Sequence, residues 1–298
     1  MKFPQPLYRF GETLLRHPRW YHYPLLLPLL PISLLYCTIA TGKFPKKYRK
    51  FPVPIIGVGN IVVGGSGKTP VVKEIAEKLA EKYRVAVVSR GYGRRSRGVK
   101  VVSRWGEVVA TPEEGGDEPV EIGLSTPALV IVAEEREKGI EEAISHGAEV
   151  VILDDAFHKP IEKLEILIDT PLKNPFCLPA GGYRLPRSFL QKGDIILKEG
   201  VNFWRKTLPT SGEVLITSIA NPTRLLPFVK VDEVVTFPDH HLFTPKDVEK
   251  YRHRQVVTTM KDFPKLQPLL PNLKVIPLQI TLSPPVWSRI WEYVEGKR

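Results

Sequence analysis

Residues 59–69 read Gly-Asn-Ile-Val-Val-Gly-Gly-Ser-Gly-Lys-Thr, set between an apolar run, Val53–Val58, and a stretch from Pro70 with apolar residues at helical spacing. Val71, Val72, Ile75, Ala76, Leu79 and Ala80 share one face of that helix, and Pro70 is tolerated in its first turn. Strand, glycine loop and helix in this order make a device for holding phosphate. Backbone N–H groups of Gly64, Gly65, Ser66 and Gly67 gather at a helix N-terminus. Lys68 supplies an ammonium for the β- and γ-phosphates and Thr69 a hydroxyl for magnesium. Val62, Val63, Gly64, Gly65, Ser66, Gly67, Lys68 and Thr69 are therefore the expected ATP-binding residues. The strict motif has glycine where this chain has Val62, but the backbone donors do not depend on it.

Further short apolar strands are expected at Val85–Ser89, Leu129–Ala133, Val150–Leu153, Leu164–Ile168 and Ile195–Leu197, separated by helical patterns such as the one after Ala133. Strands alternating with helices predict an α/β fold, a P-loop NTPase-like, mostly parallel sheet flanked by helices. Strands at Glu213–Ser218, Val256–Thr259 and Val275–Ile280 predict a smaller C-terminal α/β unit. The expected organisation is an N-terminal membrane-associated helical segment over 1–50, a kinase core over 51–205 and the smaller unit over 206–298, whose last helix can return to the core.

A chain of 298 residues, 43% hydrophobic and 25% charged, has enough apolar surface to fold, which excludes disorder, collagen-like fibres and polytopic membrane proteins. Lysine and arginine exceed aspartate and glutamate by 43 to 32, a net charge of +11. Such a surplus favours phosphorylated substrates, anionic lipid or nucleic acid. Cys37 and Cys177 are too few for a disulfide framework and predict a reducing, cytoplasmic setting. No Asp, Glu, Lys or Arg occurs from Trp20 to Gly42, while Lys2, Arg9, Arg16 and Arg19 precede the stretch and Lys43, Lys46, Lys47, Arg49 and Lys50 follow it. Pro24, Pro28 and Pro31 interrupt a clean span, and basic residues on both flanks give no orientation across a bilayer. The expectation is an interfacial or re-entrant anchor on the inner face of a membrane; the alternative is a buried helical hairpin.

A nucleotide site of this type wants an acidic residue at the end of a neighbouring strand, and Asp154 and Asp155 offer it as metal ligands. SRGYGRRS at Ser89–Ser96, GDEP at Gly116–Pro119, LDDAFHK at Leu153–Lys159, LPAGGYR at Leu178–Arg184, FPDHHLFT at Phe237–Thr244 and VTTMKDF at Val257–Phe263 follow in this order. Together with the loop they resemble the tetraacyldisaccharide 4'-kinase family, the lipid A 4'-kinases, over nearly the whole chain. Family members usually carry glycine and glutamine where this chain has Ala156 and His158, and an LRE-type turn where it has Tyr183, Arg184 and Leu185.

The resemblance implies transfer of the ATP γ-phosphoryl, with Mg2+, to the 4'-hydroxyl of a tetraacylated glucosamine disaccharide 1-phosphate at the cytoplasmic face of the inner membrane, giving lipid IVA and ADP. It implies Asp117 as the base, oriented by His240 with Asp239 alongside. Arg90, Arg94, Glu118 and Arg136 are candidates to meet substrate or phosphate, and Thr258–Asp262 to meet the nucleotide base or form a hinge. No nucleic acid and no obligate protein partner are expected, since no nucleic-acid module is present. The other class of reading is a membrane-associated nucleotide-binding switch without an acceptor.

Overall fold

The computed structural model describes residues 5–219 and 222–297; Lys2, one of the basic flank residues, lies outside them. An eight-stranded sheet forms the centre. Its strands are β1 (Ile55–Gly59), β2 (Val85–Ser89), β3 (Lys100–Arg104), β4 (Glu107–Val108), β5 (Leu129–Val132), β6 (Val150–Asp154), β7 (Leu164–Ile168) and β8 (Ile195–Leu197). The spatial order is β4-β3-β5-β2-β6-β1-β7-β8. Six strands run parallel, and β3 and β4 add an antiparallel edge beside β5. β1, β2, β5, β6 and β7 are buried along their whole length, which is why they read as continuous apolar runs rather than alternating ones. The edge hairpin carries charged residues and gave no such signal.

The loop helix, Lys68–Ala80, covers one face, burying Val71, Val72, Ile75, Ala76 and Leu79 against the sheet. On the other face Ile140 and Ala143 of the helix Arg136–Ser145 close the second core cluster. The order of strands reverses beside β1, so the carboxyl ends of β1, β2 and β6 open onto one crevice.

A second, four-stranded parallel sheet contains Val214–Thr217, Glu233–Thr236, Val256–Thr258 and Leu273–Val275. One strand expected over Val275–Ile280 is in fact two. Pro277 has no N–H to continue a ladder, and the chain after it, Leu278–Leu282, leaves this sheet to pair antiparallel with Phe203–Thr207. The last helix, Pro284–Gly296, places Val286, Ile290 and Val294 in the same core cluster as the loop helix.

The apolar N-terminal stretch is helical from Trp20 to Gly42, with Pro24, Pro28 and Pro31 each at the first turn of a new helical segment, where the missing donor costs nothing. Only 11% of its most apolar window is buried, and Trp20, Leu25, Leu27, Ile32, Leu34 and Leu35 are exposed. That exposure disfavours the buried hairpin. The buried Ser33 docks the segment, since its hydroxyl donates to the Cys177 carbonyl and accepts the Ala180 N–H.

Cys37 and Cys177, 140 residues apart in sequence, are brought side by side where the apolar helix packs on the 174–184 loop.

Candidate active site

The phosphate loop is built by its two ends. β1 delivers it at Gly59, and Gly67, with φ +81°, turns it into the helix beginning at Lys68. Gly64, with φ +79°, makes the second turn that a side chain would resist. Residues 178–184 clamp the loop from outside, where the Val63 N–H donates to the Gly182 carbonyl at 2.9 Å and the Arg184 N–H to the Ile61 carbonyl at 2.7 Å. Val62 is buried beside Tyr183 and Leu185 and takes a packing position in place of the usual glycine. Ser66 is buried and its hydroxyl has no partner, as expected of a group awaiting a phosphate oxygen.

Asp154 ends β6 next to that loop and Asp155 follows with φ +53°. Asp155 lies 3.5 Å from the Lys68 ammonium and 3.2 Å from the Arg184 guanidinium. Burial pushes its carboxyl up, but these two cations more than offset it and hold it below the usual carboxylate range. Asp154 goes the other way, because burial dominates and Asp155 adds a like charge, so its carboxyl is raised. Its Oδ2 accepts from Ser89 at 3.0 Å while Oδ1 is buried without a partner. An orphaned oxygen in a raised carboxylate fits a cation site. Among the described residues no three His, Cys, Asp or Glu side chains converge on one point.

Asp117 opens the helix Asp117–Ser125, entered through Gly116 at φ +93°. A Cβ on Gly116 would press on the backbone of Gly91 and Tyr92, so the GDEP turn and the RGYGR turn pack backbone to backbone there. From the C-terminal unit His240, itself at φ +58°, sets Nδ1 3.1 Å from Asp117 Oδ2. The Lys261 ammonium stands 3.3 Å from Nε2 of the same ring. A carboxylate only accepts, so Nδ1 carries the proton it donates to Asp117, while Nε2 faces both the Lys261 ammonium and, at 3.7 Å, the Asp239 carboxylate. Lys261 also holds Asp239 at 2.8 Å.

Lys265, on the next turn of chain, reaches the same Asp117 Oδ2 at 3.1 Å. Burial pushes the Asp117 carboxyl up, yet hydrogen bonds from His240 and Lys265 outweigh it and hold it below the usual range. Its neighbour Glu118 is pushed up to about 7, first by burial and then by Asp154, with Lys261 and Lys68 pulling the other way. Glu118 thereby links the two halves electrostatically, the phosphate loop and the Asp117–His240 pair.

The three arginines divide. Arg90 is exposed and, with Tyr92 and Arg97, lines an open cavity of about 380 Å³. Arg136, only 2% exposed, donates to the carbonyls of Ala133 and Asp154; burial lowers its hold on its proton, and the two aspartates partly offset that. Arg94 lies on the same cavity but is bound into its own loop. Its side chain is buried and spends its donors on Glu134 and the Gly98 carbonyl, which shape the loop after β2. Arg184 and Lys265 carry no signal in the sequence as site residues, and Lys261 falls in the Thr258–Asp262 turn expected as a base contact or hinge, without its contact to His240. Lys265 lies just past the TTMKD turn, between Pro264 and Leu266, and nothing in that local sequence signals its reach of 148 residues back to Asp117.

A family model described as tetraacyldisaccharide-1-P 4'-kinase matches residues 25–214. A tetraacyldisaccharide 4'-kinase of Aliarcobacter butzleri is 38% identical over 301 residues, covering 94% of each chain. That of Helicobacter pylori is 37% identical over 307 residues, covering 99% of this chain and 96% of its own. A crystal structure of LpxK from Aquifex aeolicus, described as in complex with ATP, superposes with a TM-score of 0.77 at 29% identity and covers 91% of this chain and 99% of that one.

Proposed function

This chain belongs to the tetraacyldisaccharide 4'-kinase family, and we propose that it moves the ATP γ-phosphoryl to the 4'-hydroxyl of a tetraacylated disaccharide 1-phosphate through the residues described above. One observation carries the assignment of roles. The hydrogen-bonded Asp117–His240 pair supports this reading, as does Glu118 beside Asp117, which feels both Lys261 of the second unit and Lys68 and Asp154 of the loop side.

Asp117 takes the proton from the 4'-hydroxyl. Its low proton affinity suits a base that acts late, once the bond to phosphorus is forming. The acceptor oxygen bonds to the γ-phosphorus as the bond to the bridging oxygen breaks, and ADP leaves. His240 holds the carboxylate in place, and its imidazole is itself held by Lys261. Lys68 and the loop N–H groups meet charge on the transferring group, a role that depends on fixed donors rather than covalent chemistry. Arg136 adds a desolvated positive charge behind the aspartates. Bound Mg2+, held by Thr69 and Asp154 or Asp155, would neutralise phosphate charge.

The substrate carries acyl chains, so the reaction must take place at a bilayer. The exposed apolar helix, its basic borders and the +11 charge support a peripheral or N-terminally anchored enzyme on the cytoplasmic face of the inner membrane. A nucleotide-binding switch would share the loop but has no use for a paired base in a second unit. Incubation with labelled ATP and the acylated disaccharide 1-phosphate tests the reading. The expected product carries a second phosphate at the 4' position, and ATP consumed equally without lipid would refute it.

A further inference from the structure

We propose that Lys265 is a positioning residue for the base, binding one oxygen of Asp117 so that the other faces the acceptor hydroxyl. The inference rests on the assignment of Asp117 as the base.

Lys265 is 8% exposed overall and its side chain 3%. An ammonium has three N–H donors, and three acceptors are in reach: Asp117 Oδ2 at 3.1 Å, Ser218 Oγ at 3.0 Å and Asp262 Oδ1 at 2.9 Å. The buried charge is therefore fully matched. Asp262, with no exposed surface, is held in turn by Thr217, by Thr259 and by the Ser218 backbone N–H. These anchors all belong to the C-terminal four-stranded unit, whereas Asp117 belongs to a helix packed on the large sheet.

On the other side, both donors to Asp117, His240 Nδ1 and Lys265 Nζ, converge on Oδ2. No described residue hydrogen-bonds to Oδ1. One oxygen carries two donors and the other remains for the substrate, which fixes the carboxylate rotation about its last bond. Two cations or donors on one oxygen also make protonation there costly, so the incoming proton goes to Oδ1. The remaining charged groups around Asp117 are Glu118 on its own helix, Asp239 and His240 on the turn after Thr236, and Lys261 and Asp262 beside Lys265.

The test is kcat against pH for the full chain with its lipid substrate, in wild type, Lys265→Met and Lys265→Gln. Glutamine keeps a donor to Ser218 and serves if the methionine variant does not fold, as judged by melting and ATP binding. In either folded variant kcat is expected to fall at least about tenfold, with the KM for ATP within about twofold of wild type, and the acidic limb to move upward by about one pH unit or more. A folded variant whose acidic limb stays in place, or whose loss is carried by KM, would overturn the role. Asp117→Asn with wild-type turnover would instead overturn the base assignment itself.

Discussion

Arg16 of the N-terminal helix, Gln5–Arg16, donates a hydrogen bond of 2.7 Å to the carbonyl of Val63 in the phosphate loop. A Cβ on the next residue, Gly64, would displace that guanidinium, and its φ of +79° already favours glycine. The carbonyl of Arg16 accepts the Lys173 N–H, and Asn174 reaches back to Leu14, so the helix, the 174–184 loop and the phosphate loop form one hydrogen-bonded layer. Whatever seats the apolar segment therefore also bears on the ATP site.

The N-terminus should have two separable effects. Arg16→Ala removes one hydrogen bond, about 1 kcal/mol, and is expected to raise the KM for ATP about fivefold while the protein still sediments with anionic vesicles. Deleting residues 1–42 should both weaken ATP binding and release the chain from vesicles. Continued vesicle binding by the truncated chain would place the anchor elsewhere.

Lys68→Ala is expected to fold and to lose turnover by several orders of magnitude. Asp155, left by Lys68, still has Arg184 at 3.2 Å, and Asp154 keeps its Ser89 hydrogen bond and the nearby Arg136 charge, while a charge on the transferring phosphoryl is gone. Turnover above about a tenth of wild type, in a melting-checked preparation, would contradict the loop assignment.

Asp262→Ala predicts a stability loss rather than a purely kinetic one. It removes the carboxylate facing Lys265 and leaves Thr217 and Ser218 without their acceptor. Breaking a buried pair costs about 3–5 kcal/mol, readable as the shift in a denaturant midpoint. A change below about 1 kcal/mol would mean the network is better solvated than its burial indicates.

Glu118 gives a pH-dependent signature. Its carboxyl is raised from 4.5 to about 7, chiefly by burial and the Asp154 charge. Above its unfolded value the folded state holds a proton that the unfolded chain releases, so this group's contribution falls as pH rises from 4.5 and levels off above about 7. Glu118→Gln should therefore melt higher than wild type at pH 8, with the gap closing toward pH 5. A gap independent of pH would mean Glu118 is ionised throughout.

The parts of this protein that the sequence made legible are those with a local signature. β1, β2, β6 and β7 were found within two residues of their ends because buried parallel strands are apolar throughout. The phosphate loop was found because strand, glycines and helix are contiguous. Phe203–Thr207 and the β3–β4 edge were missed, since exposed or half-exposed strands carry charge and mimic loop. Asp117 and His240 came from a resemblance between motifs, as their contact spans 123 residues and no periodicity records it. Lys265 lay beyond both routes, because a buried lysine is recognisable only once its three acceptors are assembled around it.

The most direct test of the central claim, that Asp117 and His240 act as one unit in phosphoryl transfer, is a double-mutant cycle on kcat with the acylated disaccharide substrate. Asp117→Ala is expected to cost most of kcat with ATP binding nearly intact, and His240→Ala comparably or somewhat less. Once the base is gone its partner has nothing left to orient, so the double variant should be little worse than Asp117→Ala. Fully additive losses would contradict the account and move the base elsewhere, with Asp155 the next residue to test.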